Sequence, residues 1–457
     1  MKIYRNTKSK ITLLLLTVTI AALLTVSCAT KPGAFQEMDF AVEQSNFSGA
    51  VEALRRAQEE RPVLYNERNA ISLFLDKGLL EHYAGNYLES SEDLQNAERL
   101  IEEAYTKSVT QNFMSYIIND NTREYPGEDF EDIYLNVFNA LNYFNRGSLE
   151  GALVEIRKLS MSSGKLDTLA LRHEHNDPET GSSMSDTARK QTGVTQMPDA
   201  VASNFSNSAL ARFLGALFFQ AARNTDSARI EFSQIPRAFS ANREVFKHPI
   251  PRAVDEAQNV PAGKARLHIL SFTGLSPIKE EQKILHNLPF RHPVLSVAQF
   301  KLPVMVKRPS QITRIETVVD GVGRFDLELL EDMGAVIEET FKNRYNKIVL
   351  KTYIRTIIKY AVADVAARTA ARQTNEFAGL MVAIAARGAM DASESADIRM
   401  SRYLPDKAHV GGINLDPGTY SVIINYYNES NIIIASEHRN ITVTSGGLNL
   451  IQSVNLK

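Results

Sequence analysis

The period of the hydrophobic pattern changes near residue 250, and this change limits the chain to a fold with separate helical and strand-rich parts. From residue 34 to about residue 235, apolar residues recur every three or four positions, which is the spacing of helices with one buried face. Beyond residue 251 the pattern alternates polar with apolar residues, as in strands. The sequence therefore predicts an α+β multidomain chain, with a helical array followed by a β domain.

The helical part contains an internal repeat. Small and large residues return at similar offsets in four segments, which lie around Asn46, Gly85, Gly147 and Phe213. These offsets resemble the tetratricopeptide repeat, in which small residues let two antiparallel helices approach and large residues fill the space between neighbouring pairs. The second and third copies are 62 residues apart (147 − 85), so the array is interrupted. We expect helical repeats over residues 28–159 and a final helix pair over residues 208–250.

The repeat resemblance also implies a concave groove lined by the first helix of each pair. The residues on that side are mainly apolar and aromatic: Leu75, Leu79, His82, Tyr83, Tyr134, Val137, Leu141, Phe144, Phe213 and Leu217. Two interpretations stay open. Either this surface receives an envelope protein, or segments of the same chain fill it and its residues belong to the core. The second interpretation is favoured.

Residues 160–207 form a polar insertion rich in Ser, Thr, Asp, Asn and Gly. Few of its side chains are large and apolar, so a long mobile or partly disordered loop is expected. It contains the close histidine pair of His173 and His175. A metal site needs a third or fourth ligand at fixed spacing, and none is visible, so no metal is predicted.

The C-terminal part, residues 251–457, is predicted to be a β domain that resembles a sandwich of about six strands. Its last three strands, within residues 419–456, are expected to form a meander. A helical insertion is expected at about residues 325–390, in which the apolar run 377–386 predicts a buried helix. Four bases of the insertion indicate either a stripe for phosphate or acidic lipid or, as favoured, a solvated or salt-bridged face: Arg355, Lys359, Arg368 and Arg372.

The 457-residue chain has one cysteine, which excludes an internal disulfide, and a net charge of −2, which gives no electrostatic case for nucleic-acid binding. Residues 1–10 are basic and residues 11–26 carry no charge, as in a secretory signal. The segment ends in Thr25-Val26-Ser27-Cys28, which resembles the lipobox of bacterial lipoproteins, although leucine is usual where Thr25 stands. The resemblance implies a signal peptide over residues 1–27, fatty acylation such as palmitoylation at Cys28, and a membrane anchor. An ordinary cleaved signal and an uncleaved anchor are the alternatives.

Removal of residues 1–27 deletes four bases, so the mature chain of 430 residues (457 − 27) would carry a net charge of −6 (47 bases, 53 acids). Because Ala29 follows the cysteine in place of an aspartate, the lipoprotein rule favours the outer membrane. The localisation expected is therefore the bacterial cell envelope, with the chain held by its lipid.

Ordered landmarks along the mature chain resemble an uncharacterised family of bacterial envelope lipoproteins with N-terminal tetratricopeptide-like repeats. They include residues 129–136, 273–279, 396–399 and 415–420. One departure lies in residues 397–401, which lack the tryptophan that the family has before its Leu-Pro pair. The resemblance implies architecture and location, and it carries over no catalytic residue.

No nucleophile–base pair, phosphate-binding loop or zinc motif stands out in the sequence. The most enzyme-like feature is the group of four carboxylates within residues 128–132, which acids at a helix N-terminus also explain. We therefore expect a non-enzymatic interaction scaffold of the envelope without cofactors. The alternative is a cell-wall or glycan-processing enzyme on an unusual scaffold.

Overall fold

A computed structural model describes residues 35–60, 64–108, 121, 123–160, 207–288, 290 and 292–457. The chain is a mixture of helices and sheets, with 52% helix and 24% strand, in agreement with the α+β prediction. Cys28 and the signal segment lie outside the described residues, as does nearly all of the polar insertion, including His173 and His175.

The N-terminal part consists of helices that pack in consecutive pairs. The pairs are α1 (Gln36–Glu43) with α2 (Phe47–Glu60), α3 (Ala70–Ala84) with α4 (Tyr87–Ser108), α5 (Asp129–Asn145) with α6 (Leu149–Ser160), and α7 (Ala209–Ala221) with α8 (Thr225–Ala241). A short helix α9 (Arg252–Gln258) follows.

The helices of a pair approach closely where small residues face large ones. In the second pair, a Cβ atom added to Gly78 would lie 2.8 Å from the Leu94 side chain. Gly85 then ends α3 with a φ of +85°, a conformation that glycine adopts without steric cost. The chain therefore turns within two residues and starts α4 against the previous helix.

The C-terminal part contains ten strands among the described residues. They are β1 (Ala265–Leu275), β2 (Ile278–Asn287), β3 (Val297–Val306), β4 (Arg314–Val319), β5 (Gly323–Asp326), β6 (Glu328–Asp332), β7 (Pro405–Leu415), β8 (Gly418–Tyr427), β9 (Ile433–Val443) and β10 (Asn449–Asn455). The central sheet has the order β10-β1-β7-β6, the outer sheet has the order β5-β4-β8-β9, and β2 pairs with β3 in a separate hairpin.

Strand β1 is buried along its whole length because both faces of the central sheet are covered. One face packs on the N-terminal helices, where the ring of Phe272 lies 5.0 Å from that of Phe138. The other face shares a core with the outer sheet, and Ser271 Oγ lies 3.1 Å from Tyr426 Oη. The central sheet is thus the layer that joins the two parts of the chain.

The predicted meander of three strands is wrong at its last strand. Strands β8 and β9 form the expected antiparallel hairpin. Strand β10 instead leaves the outer sheet and pairs parallel with β1, so that Leu267 lies opposite Asn449. A strand with alternating apolar residues fits the edge of either sheet. The alternation alone therefore does not show which sheet the strand joins.

The helical insertion consists of α10 (Met333–Gln373) and α11 (Glu376–Ser393), which pack together and against the β2–β3 hairpin. Three of the four bases in the insertion form salt bridges, and the fourth, Arg372, is exposed to solvent, in agreement with the favoured interpretation. Arg355 and Lys359 both bind Glu394, and Arg368 binds Asp364 at 2.8 Å. No helix among the described residues is long and apolar enough to span a membrane.

Residues 377–386 are helical as predicted, but the helix is buried on one side only. Helix α11 buries Gly379 and Ala383, but Phe377 on its other side is 69% exposed. The apolar run is longer than one buried face requires, and the remaining apolar side chains point away from the core.

Candidate functional site

The predicted groove surface lies inside the protein, between the first helices of the pairs and the central sheet. Tyr83 and Phe144 are half-buried. The other predicted groove residues are at most 2% exposed: Leu75, Leu79, His82, Tyr134, Val137, Leu141, Phe213 and Leu217. The structure therefore brings all ten residues together on one surface, but the chain itself covers that surface, as in the favoured interpretation. The eight buried residues are not accessible to a partner while the central sheet stays in place.

Hydrogen bonds from the C-terminal part hold this surface. Tyr83 Oη donates to the Tyr403 carbonyl at 2.8 Å. Tyr134 Oη donates to Glu331 Oε1 at 2.6 Å. Each bond joins a groove aromatic on a first helix to a residue more than 190 positions later in the chain. The aromatic hydroxyls thus act as fixed points between the two parts.

His82 is buried within the same interface and is held as a neutral imidazole. Its Nδ1 lies 2.6 Å from Asn142 Oδ1, and its Nε2 lies 2.5 Å from the Gln452 amide nitrogen on β10. Burial lowers the pKa of His82 to about 4, although the two amide contacts oppose this shift. Because the ring is neutral and bonded on both nitrogens, it does not change its protonation state near pH 7.

Glu331 is the buried carboxylate that ties β6 to two helices. A bulge in the β6–β7 pairing, between Leu329 and Glu331, changes the alternation of side chains there. The Glu331 carboxylate accepts hydrogen bonds from Tyr134 Oη, from Ser208 Oγ at 2.9 Å and from the Leu210 amide at 2.8 Å. Burial raises the pKa of Glu331, and its hydrogen bonds reduce this rise. A carboxylate at the first turn of α7 also complements the helix dipole.

The segment 396–404, which leads into β7, enters a polar cluster on the first two helix pairs. Asp76, which is 1% exposed, accepts hydrogen bonds from Tyr65 Oη at 2.9 Å, from Ser401 Oγ at 3.2 Å and from the Arg402 amide at 2.6 Å. Arg402 itself donates to Asp39 of α1 from two of its side-chain nitrogens, Nε and Nη2. Burial raises the pKa of Asp76 to about 6 against the effect of these donors.

The carboxylates of residues 128–132 are engaged in structural contacts. Glu128 binds Lys279 at 2.6 Å and also binds Arg344, which is 3.6 Å from Asp129. Burial opposes the ionised form of Glu128, but the two cations outweigh it and lower the pKa.

Glu131 forms the capping box of α5, because it accepts from the Glu128 amide at 2.8 Å. It also accepts from Tyr125 Oη at 2.7 Å and from the Ser401 amide. Burial, together with the charge of Glu128, raises the pKa of Glu131 to about 7. The group that most suggested catalysis in the sequence thus joins α5 to β2, to α10 and to the segment 396–404.

The described part of the chain contains no group of three or more His, Cys, Asp or Glu side chains placed to hold a metal ion. The polar groups at this interface face one another across buried contacts. What the arrangement can do is join helices, sheet and helical insertion into one structure.

Sequence reasoning missed Glu331, Arg402 and Lys279 as members of this interface. Lys279 and the residues before Arg402 fall within or next to the landmarks of the lipoprotein resemblance, which is the one signal that pointed toward them. Comparison of the chain with protein families, with curated proteins and with solved structures finds no match.

Proposed function

We propose that this chain is a lipid-anchored envelope lipoprotein that acts as an interaction scaffold. The observation that carries the proposal is the N-terminal segment, in which basic residues, sixteen uncharged residues (11–26) and a lone Cys28 follow in the order of a lipoprotein signal. Acyl chains on Cys28 would hold the mature chain at a membrane surface.

The helix pairs are proposed to be tetratricopeptide-like repeats, and the two larger sheets to form a sandwich-like unit. The short turns within each pair and the close contact of Gly78 with Leu94 support the repeat assignment. The shared core of the central and outer sheets supports the sandwich. The buried charged side chains bind other groups of the same chain and hold its parts together. This arrangement favours a scaffold over a glycan-processing enzyme.

Partner contact is proposed to use the outer surface of the repeats, since the groove is occupied by the central sheet. The second helices of the last three pairs each present a half-exposed apolar side chain: Leu88 47%, Val154 47% and Ile230 54%. Such residues are accessible in the assembled chain, whereas Leu79, Val137 and Leu217 are not.

Anchoring is tested by metabolic labelling with an alkyne fatty acid in a bacterial host that processes lipoproteins. The unsubstituted chain is expected to carry the label, and Cys28→Ala is expected to lose it. Thr25→Leu, which restores the usual lipobox residue, is the matched control and is expected to keep the label. Equal labelling of the Cys28→Ala chain would refute the anchor.

The scaffold is tested by photo-crosslinking in intact cells of the natural source. A photoreactive residue is placed at Leu88, Val154 or Ile230, and at the buried positions Leu79 or Val137 as controls. We expect discrete adducts with one or a few envelope proteins from the outer positions alone. Adducts from the buried positions would mean that the groove opens, and the lack of any discrete adduct would contradict the scaffold.

A further inference from the structure

Helix α11 has apolar residues on two opposite faces, and the inner face accounts for only some of them. A Cβ atom added to Gly379 would lie 2.7 Å from the Ala371 side chain and 2.8 Å from the Ala367 carbonyl. Small residues thus bring α11 into close contact with α10. Ala383 and Met390 continue this buried face toward the β2–β3 hairpin.

The outer face of α11 carries a stripe of large apolar side chains. Phe377 is 69% exposed, Leu380 39%, Met381 43% and Ile384 48%. The spacing of three, four and seven residues from Phe377 places them on one side of the helix. Single exposed apolar residues need no explanation, but a continuous stripe of four on one helix indicates a surface that is covered in use.

We propose that this outer stripe, Phe377, Leu380, Met381 and Ile384, lies in the interface of the phospholipid bilayer to which Cys28 is anchored. The inference rests on the proposed lipid anchor and adds a second contact with the same membrane. Helix α11 lies in the plane of the membrane, with the stripe among the headgroups and the upper acyl chains. An apolar stripe of this kind reaches about 5–10 Å into the interface.

The length of the tether keeps the folded chain near the membrane. Seven residue-to-residue steps (35 − 28) lead from Cys28 to Phe35, the first described residue. At roughly 3.6 Å per residue the tether spans at most about 25 Å. Phe35 therefore stays within about 25 Å of the headgroups, and the folded chain that begins there stays beside the membrane.

The size and charge of the surface favour lipid over a protein partner. The stripe on α11, together with Val362 and Val365 of α10, gives six large exposed apolar side chains on these two helices. A stable protein interface uses about 20–30 residues a side. Arg372 is exposed at the end of α10, five residues before Phe377. Arg368 pairs with Asp364 at 2.8 Å and keeps 45% of its side chain exposed. Exposed bases beside an apolar stripe match anionic phospholipid headgroups.

The test uses the full-length lipoprotein, purified and reconstituted into vesicles of phosphatidylethanolamine and phosphatidylglycerol. Met381→Cys is labelled with an environment-sensitive fluorophore, and Ile384→Cys provides a second position on the stripe. Asn440→Cys, an exposed position on β9, is the matched control. We expect blue-shifted emission and strong quenching by brominated lipids at 381 and 384, and neither effect at 440.

Two outcomes overturn the proposal. One is a label at 381 and 384 that behaves as the label at 440 does. The other is oxidative crosslinking of Met381→Cys chains to each other with no quenching by lipid, which would assign the stripe to a second copy of the chain. Failure of the lipid anchor is detected separately with the unsubstituted chain, which takes up the fluorophore only if the Cys28 thiol carries no lipid. Fluorophore on Cys28 would be the same in every variant, so its signal is subtracted.

Discussion

Replacement of Glu331 by alanine tests the idea that buried polar contacts hold the two parts of the chain together. The change removes the common acceptor of Tyr134 Oη, Ser208 Oγ and the Leu210 amide, all of which are buried. A buried donor that loses its partner costs about 1–3 kcal/mol. Because Ser208 can turn to another acceptor, we expect the free energy of unfolding to fall by about 3–5 kcal/mol rather than by the full sum.

The assay for Glu331→Ala combines urea unfolding, followed by circular dichroism, with hydrogen exchange of the peptide that begins α7. The amide of Leu210 should exchange faster in the variant, because it loses its acceptor. Glu338→Ala is the matched control. Its carboxylate binds the exposed Lys307 at the surface, so removal should cost at most about 1 kcal/mol. Equal effects of the two variants, or unchanged exchange at Leu210, would refute the reasoning.

Three further changes address other contacts. Ionisation of Glu131, whose pKa is raised to about 7 in the folded state, disfavours that state. Stability should therefore fall as the pH rises from about 4.5 to 7, by up to about 1.4 kcal/mol per pH unit. Glu131→Gln should flatten this slope in urea midpoints measured across that window. Gly379→Ala should lower stability by about 1–3 kcal/mol, because its Cβ meets Ala371, whereas Gly388→Ala, which meets nothing, should be neutral or stabilising in thermal melts. Tyr83→Phe should cost about 1 kcal/mol and raise hydrogen exchange in the segment 396–404, and unchanged exchange there would contradict a tie to Tyr403.

The helix pairs were predictable because their determinants are local. The small–large pattern around Gly78 and Leu94 is readable in the sequence, and the structure places these two residues in direct contact. Strands with one buried face were also predictable. A strand was expected to begin at residue 419, and the structure has β8 (Gly418–Tyr427) at this position. In each instance the periodic burial of side chains leaves a pattern in the sequence.

Other elements left no such pattern. Strand β2 is exposed along most of its length, so its residues need not alternate. Strand β6 falls within the helical insertion that was expected from about residue 325, because five residues with Leu329 and Leu330 fit either period. Strand β7 contains Gly411 and Gly412, where a Cβ would meet Leu327 or the Leu267 carbonyl at 2.5 Å, so tertiary contact overrides its weak strand propensity.

The groove residues were predictable as a set, but the surface that covers them was not. Repeat position identified ten residues, of which eight are at most 2% exposed and two are half-buried. Which segment lies over them depends on contacts such as Tyr83 with Tyr403, 320 residues away, and a sequence pattern does not report such pairings.

The separation of these contacts along the chain bears on how the protein reaches its folded state. The contacts within each helix pair join residues that are close in sequence. The bond between Asp39 and Arg402, in contrast, closes a loop of 363 residues. Strand β1 likewise pairs with β10, the last strand of the chain. Local contacts form early and distant ones form late. During folding, the helical half therefore presents its apolar inner surface before the strands that cover it have assembled. This interval is the stage at which aggregation competes with folding and at which a holding chaperone has most effect.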